Sequence, residues 1–243
     1  MILECDIGNT RCKWRLRDGV VIVDSGVFAH DEGFGELARL GEIDRVKVAC
    51  VAKPYVVEGL NDQLAAMGLT AEMAQSTASA AGVENIYSDP SRLGVDRWVA
   101  IIAAHNRRAG ASLIIDAGSA LTADLLAANG QHLGGYISPG IRLMKQVLLN
   151  DTGKVRFQNE AQKQGLEFGQ STADAVSAGV LAAQLGLIRI AIDQSKRRIG
   201  EDFAILLTGG DANLFPEYLS EELQASVEIV PELVLDGLQW VLP

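Results

Sequence analysis

Metal ligands, disulfide partners and cations are all scarce in this sequence. Its 243 residues include three cysteines and three histidines. Cys5, Cys12 and Cys50 are odd in number and form no CxxC pair. That excludes a disulfide framework and a zinc ribbon, and it fits a reducing compartment. His30 and His132 stand in or near turns and His105 on an amphipathic stretch, none with a paired Cys or Ser. Lys and Arg number 21 against 31 Asp and Glu, a net charge of −10. Nucleic-acid affinity rests on clustered cations, so a nucleic-acid partner is not expected. An anionic small substrate stays open, because one site can be positive on a negative surface. No run reaches the roughly 18 uninterrupted apolar residues of a membrane span. The longest candidate, Gly179 to Ile192, is broken by Gln184 and Arg189, and Glu4 and Asp6 stand where a signal peptide needs cations. A cytoplasmic protein without a membrane partner is expected. With 48% hydrophobic and 21% charged residues, the chain is globular, one large domain or two small ones at roughly 150 residues per domain.

Three short strands with tight turns open the chain: Ile2–Ile7, Arg11–Leu16 and Val20–Val23, joined at Gly8-Asn9-Thr10 and Asp18-Gly19. A short helix is predicted at Phe34–Leu40, a strand at Arg45–Val51 stopped by Pro54, and a helix at Glu58–Met67. The opening then recurs. Ser112–Ile115 is a strand, Asp116 to Ala120 a turn, Leu121–Ala127 a strand, Asn129-Gly130 a hairpin turn and Gln131–Ile137 a third strand. Asp6-Ile7-Gly8-Asn9-Thr10 matches Asp116-Ala117-Gly118-Ser119-Ala120 in position and chemistry, and Val46–Val51 has its counterpart in Ala204–Leu207. The pattern predicts a duplicated α/β protein, residues 1–111 and 112–243, with a cleft between similar halves. Between the strands, Gly94–Arg108 is helical. Ser138-Pro139-Gly140 opens a helix running to Leu149, and Ser171 to Asp174 caps a helix running towards Arg197. Asn150–Gly169 reads as a loop.

The turn after Asp6 suits an anion. Gly8 permits close backbone approach, and Asn9 and Thr10 add donors to an oxyanion. Asp6, at the strand end, is placed to hold a metal-bound water near phosphates, and Lys13 offers a point charge. Alone, the segment also reads as an ordinary hairpin. Its twin at Asp116, Gly118 and Ser119, with a third glycine turn at Thr208-Gly209-Gly210-Asp211, shifts the balance towards a nucleotide. In Gly94-Val95-Asp96-Arg97 an acid and a cation adjoin at a helix start. Asp96 is favoured there as a carboxylate and could take a proton from a hydroxyl, while Arg97 offers a planar fork for a carboxylate. The plainer reading is a capping Asp beside a surface Arg.

The order Asp-x-Gly-Asn-Thr, Asp-x-Gly-Ser-Ala, Thr-Gly-Gly-Asp resembles the nucleotide-binding core of actin, sugar and acetate kinases and heat-shock chaperones. More narrowly, Tyr87-x-x-Pro90, Leu93-Gly94-x-Asp96-Arg97, Gly134-Gly135-Tyr136-Ile137-x-Pro139-Gly140 and Thr172 resemble type III pantothenate kinases, over most of the chain from Asp6 to Asp211. The resemblance implies a duplicated ribonuclease-H-like (actin-like) fold. It also implies ATP-dependent phosphorylation of pantothenate to 4'-phosphopantothenate, the first step of coenzyme A synthesis. Asp96 would then be the proton acceptor, with Tyr87, Gly94, Val95, Arg97 and Thr172 at the pantothenate site. Asp6 would organise Mg²⁺ through water, Asp116 a potassium or ammonium ion, and Gly8–Thr10, Lys13, Gly118, Ser119, Gly209 and Gly210 the ATP. A homodimer is implied, with Thr172 reaching the partner's substrate. The second turn departs from the family's Gly-Thr-Ala by carrying Ser119. Two alternatives stay open: a same-fold kinase for another small hydroxy acid or sugar, and a non-catalytic nucleotide-binding regulator.

Overall fold

Alternating apolar residues at Leu3, Cys5 and Ile7 make β1 (Ile2–Ile7) a central strand, and Gly8 to Thr10 turn it into β2 (Arg11–Asp18) and then β3 (Val21–Ala29). In the computed structural model, which describes residues 1–151 and 165–243, β4 (Arg45–Cys50), α1 (Pro54–Ala66) and β5 (Ala71–Met73) follow. The short pair β6 (Ser79–Ala80) and β7 (Val83–Glu84) leads to α2 (Val95–Arg107). Next come β8 (Ala111–Ala117), β9 (Ala120–Leu126), β10 (His132–Pro139), α3 (Ile141–Asp151) and α4 (Thr172–Ile199). The chain ends with β11 (Phe203–Thr208), α5 (Glu221–Gln224), β12 (Val227–Ile229) and α6 (Leu233–Val241).

The two five-stranded sheets repeat one topology. Their orders, β3-β2-β1-β4-β5 and β10-β9-β8-β11-β12, place the third, second, first, fourth and fifth strands of each set side by side. In the first sheet β1 pairs antiparallel with β2 and parallel with β4. In the second, β8 and β11 are parallel. The repeated order bears out the two similar α/β halves expected from the duplicated turns.

By packing, the chain divides into two compact units: Met1–Ala109 with Leu126–Gly134 and Glu232–Pro243, and Gly110–Leu125 with Gly135–Pro231. In the first unit Leu3, Cys5, Ile7, Trp14, Val48 and Leu60 share one core. On the other face of β1, Glu4 and Arg15 are buried together, Arg15 donating from Nε to Glu4 at 2.6 Å. The same guanidinium donates to Asp236 of α6 at 2.7 Å and to Glu232 at 3.1 Å. Burial alone disfavours the charged arginine, but the hydrogen bonds to Asp236 and Glu4 outweigh it and raise its pKa. Helix α6 thereby lies on α2, where Gly237 has no room for a side chain: a Cβ would stand 2.2 Å from the Val99 carbonyl oxygen. The second unit has its own core of Leu113, Ile115, Leu185, Ile188, Ile205 and Phe215.

Several elements differ from their expected bounds. Pro54 begins α1 rather than merely stopping β4, since its fixed φ and missing N–H suit the first helical turn. Phe34–Leu40 is a 3₁₀ turn over Gly35–Arg39. Ser138 and Pro139 end β10 instead of capping a helix, and α3 starts after Gly140. Gly140 donates its N–H to Ser119 O at 2.9 Å, and a Cβ there would meet the Gly118 carbonyl oxygen at 2.2 Å. That close approach sets the boundary. The expected loop at Asn150–Gly169 starts later, because α3 continues to Asp151; its residues 152–164 lie outside the described ones. Helix α4 begins as expected, Asp174 N–H donating to Ser171 Oγ at 3.1 Å. By length and composition α4 is apolar enough to cross a bilayer, more so than the broken run in the sequence suggested. Here Leu185, Ile188 and Ile192 bury one face of it in the second core.

Candidate active site

The turn after β1 is closed by the Gly8 N–H donating to Arg11 O at 3.1 Å. Asn9 is exposed at its tip, with Gly8 and Thr10 half-buried beside it. The β1–β2 register sets Lys13 directly opposite Asp6, so the acid and the cation share one sheet face. Lys13 is therefore tied to Asp6 by pairing, a closer relation than sequence spacing indicated. Cys12, one residue away and opposite Ile7, stays a neutral thiol. A hydrogen bond with Cys5, reinforced by burial, pushes its pKa far up. Cys5 and Cys12 are core residues next to the turn.

The second group gathers at the start of α2. Gly94 is the N-cap, and the Asp96 carboxylate accepts the Arg97 backbone N–H at 2.7 Å. A Cβ on Gly94 would stand 2.7 Å from that carboxylate oxygen, so glycine leaves Asp96 its place; Val95 and Asp96 are half-buried. Arg97 is 6% exposed, not the surface cation of the plainer reading. It donates from a terminal nitrogen to the Tyr87 hydroxyl at 3.1 Å, with its Cζ 5.9 Å from the ring centroid. Tyr87, Ser88, Asp89 and Arg92 line a cavity of about 390 Å³. Thus Tyr87, Gly94, Val95, Asp96 and Arg97 form one cluster in the first unit.

Two residues here escaped the sequence reading. Arg92 is an exposed cation on the cavity wall, and its position two residues after Pro90 of the Tyr87-x-x-Pro90 segment was the available signal. His132 lies just after the Asn129-Gly130 turn, in the strand expected there. It starts β10, is fully buried, and stacks on Tyr87 with ring centroids 6.1 Å apart and planes at 19°. No local pattern marks that contact.

In the second unit, β8 and β11 lie in register with Asp116 beside Thr208, so both strands end at one edge. There Asp116 is followed by a turn in which the Gly118 N–H donates to Ala120 O at 2.9 Å, while the Asp211 N–H donates to Ala117 O at 2.9 Å. Asp116, Gly118, Ser119 and Gly209 are half-buried and Gly210 is exposed. The structure therefore brings Asp116, Gly118, Ser119, Gly209 and Gly210 together. Thr172 is exposed at the first position of α4. Lys145 of α3 donates to Ser177 Oγ at 3.0 Å; burial lowers its pKa and the charge of Asp211 opposes that shift.

The donor chemistry fits the expected ions in different ways. Among the described residues no three His, Cys, Asp or Glu side chains converge as a metal cage. A divalent ion near Asp6 would be held chiefly by water and substrate phosphates, as Mg²⁺ commonly is. The half-buried Asp116 carboxylate is a hard oxygen donor of a kind that a monovalent cation would accept.

Over residues 2–194 the chain matches the family model described as type III pantothenate kinase. It is 38% identical over 251 residues to a protein named type III pantothenate kinase in Ectopseudomonas mendocina (strain ymp), covering 100% of this chain and 99% of that one. The identity is again 38%, over 252 residues, to the one of Pseudomonas aeruginosa (strain UCBPP-PA14), at 100% and 99% coverage. Among solved structures it is similar to a conserved putative Baf family transcriptional activator from Campylobacter jejuni. That match has a TM-score of 0.62 and 22% identity over 98% of this chain and 96% of the other. A putative 2-dehydro-3-deoxygalactonokinase from Sinorhizobium meliloti is similar at TM-score 0.59 and 12% identity, over 98% and 97%. The structural matches show the fold, the duplicated actin-like α/β architecture.

Proposed function

The chain belongs to the type III pantothenate kinase family and its activity is the ATP-dependent phosphorylation of pantothenate; we propose how its residues divide that work. Asp96 is the base: its carboxylate takes the proton of the substrate's primary hydroxyl as that oxygen attacks the γ-phosphorus. Arg97, oriented by Tyr87, binds the pantothenate carboxylate, with Gly94 and Val95 forming the floor beside it. Gly8, Asn9, Thr10 and Lys13 bind phosphate oxygens, as do Gly118 and Ser119, and Gly209 with Gly210 receives the nucleoside. Such catalysis is mainly positioning and charge stabilisation. Asp6 would hold Mg²⁺ through water and Asp116 would hold a potassium or ammonium ion, and such ions would supply charge neutralisation for the phosphates. The observation carrying this reading is the buried Arg97 paired with half-buried Tyr87, adjoining Asp96 beside an open cavity. The planar fork of a guanidinium beside Asp96 suits a substrate carboxylate better than a neutral sugar.

The reading extends to a homodimer in which Thr172 reaches the partner's pantothenate, and to a cytoplasmic enzyme, which three free cysteines support. The test is ADP release from ATP with pantothenate, measured beside neutral sugars and other small hydroxy acids. Turnover dependent on pantothenate is expected. Preference for a sugar, or no ATP turnover with any acceptor, would overturn it.

A further inference from the structure

We propose that His132 is a positioning residue for the substrate-binding fork, acting through Tyr87 on Arg97. The inference rests on the reading of Arg97 given above, and its foundation is a chain of two contacts joining three residues within one unit. His132 lies with its ring nearly parallel to Tyr87, 6.1 Å between centroids. Tyr87 in turn accepts a hydrogen bond from Arg97 at 3.1 Å.

Tyr87 needs such a support. It follows β7 in a segment without helix or strand, and its local anchor is the backbone N–H donating to Asn85 Oδ1 at 3.0 Å. That bond fixes the main chain, and Arg97 holds the ring at its hydroxyl end, which leaves the tilt of the ring plane to a partner on its face. A flat, buried partner on one face removes that freedom. His132 itself is held firmly. The end of the β9–β10 hairpin is joined to β7 by the Glu84 N–H donating to Gly130 O at 2.9 Å. Gly130 packs so closely that a Cβ would stand 2.0 Å from the Gly82 carbonyl oxygen. Two residues on, the His132 side chain is fully buried, so its ring plane is set by the hairpin and not by solvent.

The consequence is specific to one substrate. A loosened Tyr87 hydroxyl lets the Arg97 fork rotate away from a carboxylate, because a bidentate contact depends on the plane of the guanidinium. Nothing in that chain of contacts touches the Gly8–Thr10 turn. Pantothenate binding should weaken while ATP binding does not.

The experiment compares His132→Phe with His132→Leu in the full-length enzyme, with Arg97→Lys measured alongside. Phe keeps a flat face against Tyr87; Leu fills the space without one. His132→Leu should raise the KM for pantothenate by about three- to tenfold, the range of an aromatic pair, with the ATP KM within about twofold of wild type. His132→Phe should stay near wild type. In an Arg97→Lys background, His132→Leu should add little, since both changes act on the same fork. Parallel rises in both KM values, equal effects of Phe and Leu, or full additivity with Arg97→Lys would overturn the inference. If Arg97→Lys alone raises the pantothenate KM and His132→Leu leaves it unchanged, only the role of His132 falls. If Arg97→Lys leaves it unchanged as well, the reading of the fork falls with it.

Discussion

A Cβ on Gly209 would stand 2.4 Å from Oδ1 of Asp116. The third glycine turn is thus folded directly onto the Asp116 carboxylate near the end of β8, in a left-handed backbone conformation with φ of +91°. Glycine is required twice over, for the dihedral and for the contact. Gly210, one residue on, has nothing within 4 Å of its missing Cβ. Two neighbouring glycines therefore make opposite predictions. Gly209→Ala should lower stability by about 1–3 kcal/mol from strain and overlap, seen in chemical denaturation. Gly210→Ala should leave stability unchanged and raise the KM for ATP, if the nucleoside is received there as proposed.

Asp96→Asn keeps the oxygen that accepts the Arg97 N–H, so the helix start is preserved. What the proposed mechanism loses is the proton acceptor. Turnover should fall by about 10²–10⁴-fold with an unchanged melting temperature. Near-wild-type turnover, with chemistry rate-limiting, would return Asp96 to a capping role.

The role given to Asp116 predicts a requirement for potassium or ammonium at fixed Mg²⁺ and ionic strength. Lys and Arg are absent from the sequence between Arg108 and Arg142, so any cation beside that carboxylate comes from elsewhere in the chain or from solution. Exchanging potassium for a bulky organic cation should abolish most turnover. Asp116→Asn should be weakly active and indifferent to the cation. Full activity without potassium, or an equally potassium-dependent Asp116→Asn, would remove the site.

For Thr172, exposed at the start of α4, the expected outcome of Thr172→Ala is a higher KM for pantothenate by about threefold to tenfold, the loss of one hydrogen bond. Sedimentation should still show a dimer. A fully active monomer would refute a role across an interface.

The Arg15 cluster predicts stability rather than turnover. Arg15→Met leaves the Glu4 carboxylate buried without its 2.6 Å partner, which costs about 3–5 kcal/mol in urea unfolding. Adding Glu4→Gln to Arg15→Met should recover part of that loss. An unchanged unfolding midpoint in Arg15→Met would show that the pair contributes nothing.

The sequence by itself determined what depends on near neighbours. The bounds of β1, the tight turns around Gly8 and Gly118, the Ser171 cap and the repeated strand order follow from alternation, turn chemistry and side-chain capping, all set within a few residues. The motif at Gly94 to Arg97 was visible for the same reason: its four residues act as one helix start. Tertiary structure alone decided what depends on distant partners. Ser138-Pro139-Gly140 has the local form of a helix start, yet the carbonyls of Gly118 and Ser119 hold Gly140 and extend β10 instead. The contacts of Arg97 and His132 were decided the same way: Arg97 donates to Tyr87, and the His132 ring of β10 lies on that same tyrosine. Arg15 and Asp236 meet across 221 residues, a separation over which no periodicity or propensity carries information. Chain topology brings such groups together, and burial then makes their pairing obligatory, because an unpaired charge or polar group in the interior is too costly to keep.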